Sequence, residues 1–230
     1  ARGTHSAGAL GVRRHRAVLG LLIAVLAAVG CVVSWLAAGR EVVVVSGLPR
    51  SGTSMWMQML RAGGISLLAD DARLADEDNP RGYLEWEPVK RLRENDSWLD
   101  ESAGRAVKVV APLLRDLPPR HRYAVLFSQR ELAEVVASQR AMLRRLGHEP
   151  EADPEASFEE ILGRELSRVV DWIDAAANVR AFFVDYAAVV RDPLEAAVSV
   201  SAFLGRGGDP SAMAREVDAR LYRQRHILVE

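Results

Sequence analysis

Short apolar runs alternate with amphipathic stretches along most of this chain. The runs have the length of strands that are buried on both faces of a sheet, and they occupy positions 42–45, 106–110, 123–127 and 181–184. The stretches between them repeat their apolar residues with a helical period, at 55–62, 131–146, 158–177 and 194–204. Because strands alternate with helices, the pattern predicts an α/β fold with a parallel sheet that is flanked by helices.

A longer apolar stretch precedes this pattern. Residues 17–39 contain no charged side chain, and about 20 apolar residues are enough to cross a bilayer as a helix. Trp35 near one end is typical of an interfacial anchor. A secretory signal peptide and a buried helix are alternative interpretations. The sequence therefore divides into a basic N-terminal segment at 1–16, a predicted transmembrane helix at 17–39 and a domain at 41–230.

The loop after the first apolar run carries the strongest functional signal. Residues 47–54 read Gly-Leu-Pro-Arg-Ser-Gly-Thr-Ser. A strand, a glycine loop and a helix in this order form a phosphate cradle, in which loop amides and the positive end of the helix dipole face an anion. The spacing of Gly47 and Gly52 matches a P-loop, but Thr53 stands where that motif has its lysine. The basic residue, Arg50, comes earlier, which predicts a phosphate-binding loop with a different chemistry.

Composition and charge exclude several classes of function. The net charge of −1 provides no basic field for bulk binding to nucleic acid. Cys31 is the only cysteine, so the sequence predicts neither an intrachain disulfide nor a cysteine-rich metal site. The five histidines lack ligand-like spacing, and we expect no bound metal. A hydrophobic share of 49% is enough for the core of one domain.

A resemblance to a known family rests on the same loop. The arrangement Pro49-Arg50-Ser51-Gly52-Thr53 resembles the 5′-phosphosulfate-binding loop of sulfotransferases that use 3′-phosphoadenylyl sulfate (PAPS). The resemblance implies a P-loop-type sheet, PAPS as co-substrate without a metal, and transfer of a sulfuryl group to a hydroxyl or amine of an acceptor. It also implies that these residues and Ser54 bind the 5′ end of PAPS. The class of acceptor stays open.

A second motif extends the resemblance to the 3′-phosphate of PAPS. In these sulfotransferases, an arginine at a strand end and a serine eight positions later hold that phosphate. Here Arg130 follows the run 123–127, and Ser138 lies on the next predicted helix. Arginine supplies a planar fork of donors and serine adds a hydroxyl. The resemblance therefore implies that Arg130 and Ser138 bind PAPS.

Further segments widen the resemblance to about residues 41–225. The similar segments lie at 78–85, 185–186, 191–193 and 203–205. Two departures affect the 3′-phosphate site. Gln129 stands where many relatives have a second basic residue, and the sequence lacks the Gly-x-x-Gly-x-x-Lys segment of many cytosolic sulfotransferases.

The resemblance also implies how the transfer works. Sulfuryl transfer depends on positioning and on charge stabilisation along an in-line path. We expect Arg50, Thr53, Ser54 and the loop amides to stabilise the leaving phosphate oxygen. The acceptor needs a base, and Asp71 lies about where tyrosylprotein-type sulfotransferases place their catalytic glutamate. The competing carboxylates are Asp70, Glu77, Asp78 and Glu85. Lys108 is a candidate for positive charge beside the sulfuryl group.

Two other functions remain open. A P-loop kinase or NTPase would use the run 182–185 as a magnesium-binding strand end that is closed by Asp185. Thr53 in place of the lysine disfavours this function. A non-catalytic, membrane-anchored nucleotide-binding protein would keep the fold for binding alone. Dependence on magnesium separates the first alternative from sulfuryl transfer, and PAPS binding without turnover would favour the second.

The charges around the apolar segment predict its orientation. Arg13, Arg14 and Arg16 precede it, which predicts a cytoplasmic N-terminus and a domain on the far side of the membrane. That is the arrangement of Golgi sulfotransferases. We therefore expect a single-pass membrane protein, and a Golgi-type lumenal domain is one possible topology. The sidedness stays open, because PAPS has to be supplied in that compartment and Golgi enzymes usually have a longer stem.

Overall fold

The computed structural model describes residues 41–70, 72–148, 155–206 and 208–225. Within these ranges, five parallel strands form one sheet. The strands are β1 (Val42–Gly47), β2 (Leu67–Leu68), β3 (Ala106–Lys108), β4 (Tyr123–Gln129) and β5 (Val179–Asp185). Their order across the sheet is β2-β3-β1-β4-β5. The predicted parallel α/β sheet is confirmed.

Helices cover both faces of this sheet. The α-helices of the described residues are α1 (Thr53–Ala62), α2 (Leu132–Arg145), α3 (Glu155–Ala175), α4 (Tyr186–Arg191), α5 (Pro193–Leu204) and α6 (Pro210–Arg215). Short 3₁₀ helices span Glu87–Arg91, Ser97–Glu101, Ala111–Asp116 and Ala219–Leu221. The four predicted helices correspond to α1, α2, α3 and α5, with shifts of a few residues at their ends.

The strand residues alternate between two hydrophobic cores. On β1, Val42 and Val44 face a core that is completed by α2, α3 and the first three 3₁₀ helices. Val43 and Val45 face the opposite core, which is completed by α1, α4, α5 and α6. All four valines are at most 1% exposed. Burial on both faces explains why β1 is a continuous apolar run instead of an alternating one.

The predicted strand at 106–110 is shorter in the structure. It ends at Lys108. The amide of Val109 still donates to the carbonyl of Val45 (3.0 Å), but Val110 is already the N-cap of the next 3₁₀ helix. Pro112 in the first turn of that helix cannot donate to a strand neighbour.

The predicted transmembrane helix at 17–39 and the basic segment at 1–16 lie outside the described residues. Within the described ranges, no helix is long and apolar enough to span a bilayer.

The strand register brings three loop regions to one edge of the sheet. Gly47 at the end of β1 lies opposite Ser128 of β4, and Val45 lies opposite Lys108 of β3. In open parallel sheets, ligands bind beyond the carboxyl ends of the strands. The loop at 47–52 and the residues after β3 and β4 therefore surround one site.

Candidate functional site

The loop after β1 has a backbone that requires glycine at two positions. A Cβ on Gly47 would lie 2.4 Å from the Ser51 hydroxyl, and a Cβ on Gly52 would lie 2.4 Å from the Tyr186 ring. Gly52 also has φ 99°, in the left-handed region that favours glycine. Arg50 has φ 77°, which is uncommon for a residue with a side chain and indicates a constrained loop.

The N-terminus of α1 has unpaired amides that face the loop. The first bond within this helix runs from the amide of Trp56 to the carbonyl of Gly52 (3.3 Å). The amides of Thr53, Ser54 and Met55 therefore have no acceptor within the helix. Among the described residues, no side chain caps the helix at Gly52. Free amides and the positive end of the helix dipole make this turn a site for an anion.

Arg50 is held over this turn by contacts from other parts of the chain. Its Nε donates to the Ser138 hydroxyl on α2 (3.0 Å), and its Nη2 donates to the Asp78 carbonyl (3.1 Å). The side chain is only 18% exposed, and this burial lowers the pKa of the guanidinium. The residues predicted for the two ends of PAPS, Arg50 and Ser138, are thus in direct contact.

Arg130 lies beside the same loop at the end of β4. Its Nη1 donates to the Arg50 carbonyl (3.0 Å), and its Nε is paired with Glu134 on α2 (2.9 Å). The guanidinium lies 5.1 Å from the ring centroids of both Tyr186 and Tyr222. Arg130, Ser138 and Arg50 therefore form one continuous polar wall.

Lys108 adds a third cation, at the first turn of α1. Its Nζ donates to the Ser54 hydroxyl (2.9 Å) and to the Tyr83 carbonyl. Ser54 also accepts a hydrogen bond from Asn79 (2.8 Å). Lys108 is only 5% exposed, and its burial lowers the pKa of the ammonium to about 8, although the negative charge of Glu85 acts in the opposite direction. The ammonium is therefore still mostly protonated at neutral pH.

These residues line a cavity of about 380 Å³. Of the positions predicted to bind PAPS, the cavity wall contains Pro49, Arg50, Gly52, Thr53, Ser54, Arg130 and Ser138. Ser51 lies buried behind the loop, where its carbonyl accepts from the Ser128 hydroxyl (2.6 Å) and its amide donates to Leu48 (3.1 Å). Ser51 thus shapes the loop, and its predicted contact with PAPS stays a prediction.

The cavity has a second wall that is largely apolar. It includes Trp86 and Val89 from the region of the first 3₁₀ helix, Val110 and Leu113 from the third, and Met142 from α2. The Nε1 atom of Trp86 is buried and has no hydrogen-bond acceptor within the described part of the chain. The site thus combines a cationic wall with an apolar one.

The carboxylates predicted as bases have different positions. Asp71 lies outside the described residues, so its predicted role stays a prediction. Asp70 accepts from the amides of Ala72 (3.0 Å) and Glu87 (2.7 Å), and it therefore stabilises a turn. Glu85 lines the cavity.

The strand end that a kinase would use for magnesium has another role here. Asp185 accepts from the amide of Ala188 (2.7 Å) and caps α4. It does not line the cavity, and the described residues contain no cluster of histidine, cysteine or carboxylate side chains that could hold a metal ion.

The sequence did not predict that the C-terminal segment closes the cavity. The Gln224 carbonyl accepts from Arg130 (2.9 Å), and the Tyr222 hydroxyl donates to Glu134 (2.9 Å). Arg223 donates to the Glu77 carbonyl (2.6 Å). Residues 222–224 lack the periodicity that predicts a helix or a strand. Their only sequence signal for a role at the site is that they include an aromatic and a basic residue.

Several solved structures have a fold similar to that of this chain. Mouse sulfotransferase SULT7A1, complexed with PAP, matches 80% of this chain and 63% of its own length, with 20% identity and a TM-score of 0.50. The chain has the P-loop sulfotransferase fold. A sulfotransferase from Alicyclobacillus acidocaldarius matches 75% of this chain and 85% of its own, with 16% identity and a TM-score of 0.46.

The sulfotransferase domain from the curacin biosynthetic pathway is also similar to this chain. It matches 75% of this chain and 76% of its own length, with 15% identity and a TM-score of 0.48. No protein-family model matches the chain, and no curated protein matches it in sequence. The similarity to known sulfotransferases therefore lies in the fold.

Proposed function

We propose that this protein transfers a sulfuryl group from PAPS to a hydroxyl or amine of an acceptor. The observation that carries the proposal is the convergence of Arg50, Arg130 and Ser138 at the uncapped N-terminus of α1. Arg50 is about eighty positions from Arg130 in sequence, yet all three residues line one cavity. The fold shared with a mouse sulfotransferase complexed with PAP supports the same function.

We assign the two phosphate groups of PAPS to different parts of the site around the polar wall. The amides of Thr53 and Ser54, together with Arg50, would bind the 5′-phosphosulfate, since they surround the positive end of α1. Arg130 and Ser138 would bind the 3′-phosphate, because a guanidinium fork and a hydroxyl suit its oxygens. The contact between Arg50 and Ser138 brings the two subsites together.

Charge stabilisation accounts for the catalytic part of the proposal. Negative charge develops on the phosphate oxygen that leaves the sulfuryl group, and preorganised donors stabilise it. Arg50 in the loop before α1 and Lys108, which donates to the Ser54 hydroxyl in the first turn of α1, both line the cavity and supply positive charge. Because Lys108 is buried, its charge acts in a medium with less screening than water.

The structure gives less support to a kinase or NTPase. Thr53 occupies the position of the lysine that reaches the terminal phosphates of ATP. Asp185, the candidate magnesium ligand, is engaged as the cap of α4. A non-catalytic binding protein would use the same nucleotide site, so turnover is the property that separates it from an enzyme.

We also propose that residues 17–39 anchor the domain in a membrane as a single-pass helix. The support is the sequence alone, namely a charge-free segment of sufficient length that is preceded by Arg13, Arg14 and Arg16. Alkaline extraction of membranes that contain the full chain tests this. We expect the chain to remain in the membrane pellet, and its release into the soluble fraction would contradict the anchor.

Nucleotide turnover by the full chain tests the proposed function. PAPS is supplied with a panel of phenols, alcohols, sugars and amines in the presence of EDTA, and release of PAP (adenosine 3′,5′-bisphosphate) is measured. Release of phosphate from ATP with magnesium is measured in parallel. We expect acceptor-dependent PAP release without magnesium. Magnesium-dependent ATP turnover would support the kinase, and tight PAP binding without any turnover would support the binding protein.

A further inference from the structure

The cavity contains one carboxylate that is only weakly paired. Within the described residues, four carboxylates line the cavity. Three of them are held in ion pairs, namely Asp78 with Arg145, Glu216 with Arg81 and Asp218 with Arg220. The fourth, Glu85, has Arg73 at 3.4 Å, and both side chains are partly exposed, at 27% and 42%. Of the four pairs, this one has the longest contact, and a long, partly exposed pair contributes little, so Glu85 can exchange Arg73 for a substrate.

A constrained backbone turn directs Glu85 to this position. Leu84, the residue before it, has φ 52°, in the left-handed region that a branched apolar residue rarely adopts. On one side of the turn, the Tyr83 carbonyl accepts from Lys108. On the other side, the Glu85 carbonyl accepts from the amide of Asp70 (2.8 Å). Strain of this kind persists where the surrounding contacts fix it, and it is concentrated at functional sites.

Glu85 lies within electrostatic reach of the proposed transfer point. Its negative charge acts on the ammonium of Lys108, whose Nζ is bonded to the Ser54 hydroxyl (2.9 Å) at the first turn of α1. That turn is where the 5′-phosphosulfate would bind. Glu85 follows Tyr83 by two residues, and the Tyr83 carbonyl accepts from the same ammonium, so Glu85 lines the cavity together with Lys108 and Ser54.

The wall next to Glu85 suits an apolar acceptor. Trp86 follows it directly, and Val89, Val110 and Leu113 belong to the same cavity. Trp86 also presents a buried Nε1 donor that has no acceptor among the described residues. Apolar side chains with a few placed polar groups are typical of small-molecule sites. A sugar, with hydroxyls around its ring, would leave several of them unpaired against this wall.

We propose that Glu85 is the general base for an apolar hydroxyl acceptor, a phenol or an alcohol, that binds against the wall formed with Trp86. This inference rests on the proposed function. The acceptor oxygen forms a bond to sulfur as the bond between sulfur and the phosphate oxygen of PAPS breaks. Glu85 takes the hydroxyl proton, and the products are a sulfate ester and PAP. The exposed side of Glu85 then returns the proton to water.

Two probe acceptors separate this chemical role from a structural one. Phenol keeps its proton at mildly alkaline pH, whereas 4-nitrophenol has already lost it. The full chain and the variants Glu85→Gln and Glu85→Asp are compared for PAP release from PAPS with each probe. Glu87→Gln is the matched control, because Glu87 is an exposed glutamate two positions away that does not line the cavity.

We expect the loss of kcat to be large only for the acceptor that still carries its hydroxyl proton. Glu85→Gln should lower kcat with phenol by roughly 10²- to 10⁴-fold, but with 4-nitrophenol by less than about tenfold. Glu85→Asp should retain part of the activity with phenol, because it keeps a carboxylate. Glu87→Gln should behave as the wild type, and all variants should bind PAP with unchanged affinity.

Other outcomes would overturn the inference in distinguishable ways. Equal losses with both probes would show that Glu85 positions the site but takes no proton. Unchanged turnover by Glu85→Gln would exclude it as the base. A wild type that binds PAP but turns over neither probe would contradict the apolar hydroxyl acceptor. A wild type that does not bind PAP would remove the proposed function itself.

Discussion

Lys108 allows a test that links burial to stability and to activity. An ordinary lysine has a pKa of 10.5, whereas burial lowers the pKa of Lys108 to about 8. The difference of about 2.5 pH units corresponds to a cost of about 3 kcal/mol for keeping the ammonium charged in the folded protein at neutral pH. The Lys108→Met variant removes this cost and keeps most of the side-chain length.

The variant also removes two hydrogen bonds, to Ser54 and to the Tyr83 carbonyl. Each contributes about 1 kcal/mol, or somewhat less when the remaining partners compensate. The cost of the buried ammonium, about 3 kcal/mol, exceeds the loss of these two hydrogen bonds. We therefore expect Lys108→Met to be more stable than the wild type by about 1–2 kcal/mol near pH 7. The same variant should lose most of its turnover, because the cation beside Ser54 is gone.

The sign of the pH dependence follows from the lowered pKa. Between pH 8 and 10.5, the folded wild type releases the Lys108 proton while the unfolded chain keeps it. The unfolded state then binds more protons, so the stability of the wild type rises with pH through this window. The cost of the charge is fully present below pH 8. The advantage of Lys108→Met should therefore shrink as the pH rises, and reverse near pH 10.

Urea unfolding of the full chain near pH 7 and near pH 10 measures this effect. With a slope of about 2 kcal/mol per molar urea, the midpoint should rise by about 0.5–1 M at the lower pH. Lys90→Met is the matched control, because Lys90 is the only other lysine in the sequence and its side chain is 59% exposed. The reasoning would be refuted if Lys108→Met were less stable than the wild type at neutral pH. It would also be refuted if the difference in stability between the two proteins were the same near pH 7 and near pH 10.

Two further predictions concern the nucleotide site. Gly52→Ala should lower stability by about 1–3 kcal/mol in thermal unfolding, because the new methyl group meets the Tyr186 ring at 2.4 Å. Gly64→Ala, at a similar positive φ of 91° but with open space around it, should cost less, and equal losses would contradict the steric account. Arg130→Ala and Ser138→Ala should weaken calorimetric binding of PAP by at least about tenfold. They should weaken binding of adenosine 5′-phosphate much less, because it lacks the 3′-phosphate and is affected only through the contacts of both residues with Arg50. Equal losses for both nucleotides would contradict the assignment of the 3′-phosphate subsite.

The strands that form the centre of the sheet were predictable because they are buried on both faces. The runs at 42–45 and 123–127 are continuous for that reason, and both belong to long strands in the structure. The two-residue strand Leu67–Leu68 and the short helix Tyr186–Arg191 were not predicted. Elements of two to six residues are too short for a hydrophobic period to show.

The candidate site was predictable where it depends on local sequence. The loop around Arg50 is recognisable because its glycines meet backbone requirements that few other residues fulfil. Ser138 was expected at the site only through the resemblance, and its contact with Arg50 was not predicted. By contrast, the left-handed backbone of Leu84, which directs Glu85 into the cavity, has no sequence signal, because leucine does not favour it.

The C-terminal part of the site depends on tertiary packing. Tyr222 and Gln224 reach Glu134 and Arg130 across about ninety positions of sequence, and no local pattern encodes such a contact. Contacts at this separation depend on how α2 and the last residues pack against each other.

Binding of PAP to the full chain, measured by calorimetry without magnesium, tests the central claim most directly. ATP, the Arg50→Ala variant and the control Arg61→Ala, an exposed arginine at the far end of α1, are the comparisons. The account predicts that the wild type and Arg61→Ala bind PAP tightly and ATP weakly, and that Arg50→Ala loses PAP binding. Folded wild-type protein that does not bind PAP, or that prefers ATP with magnesium, would contradict it.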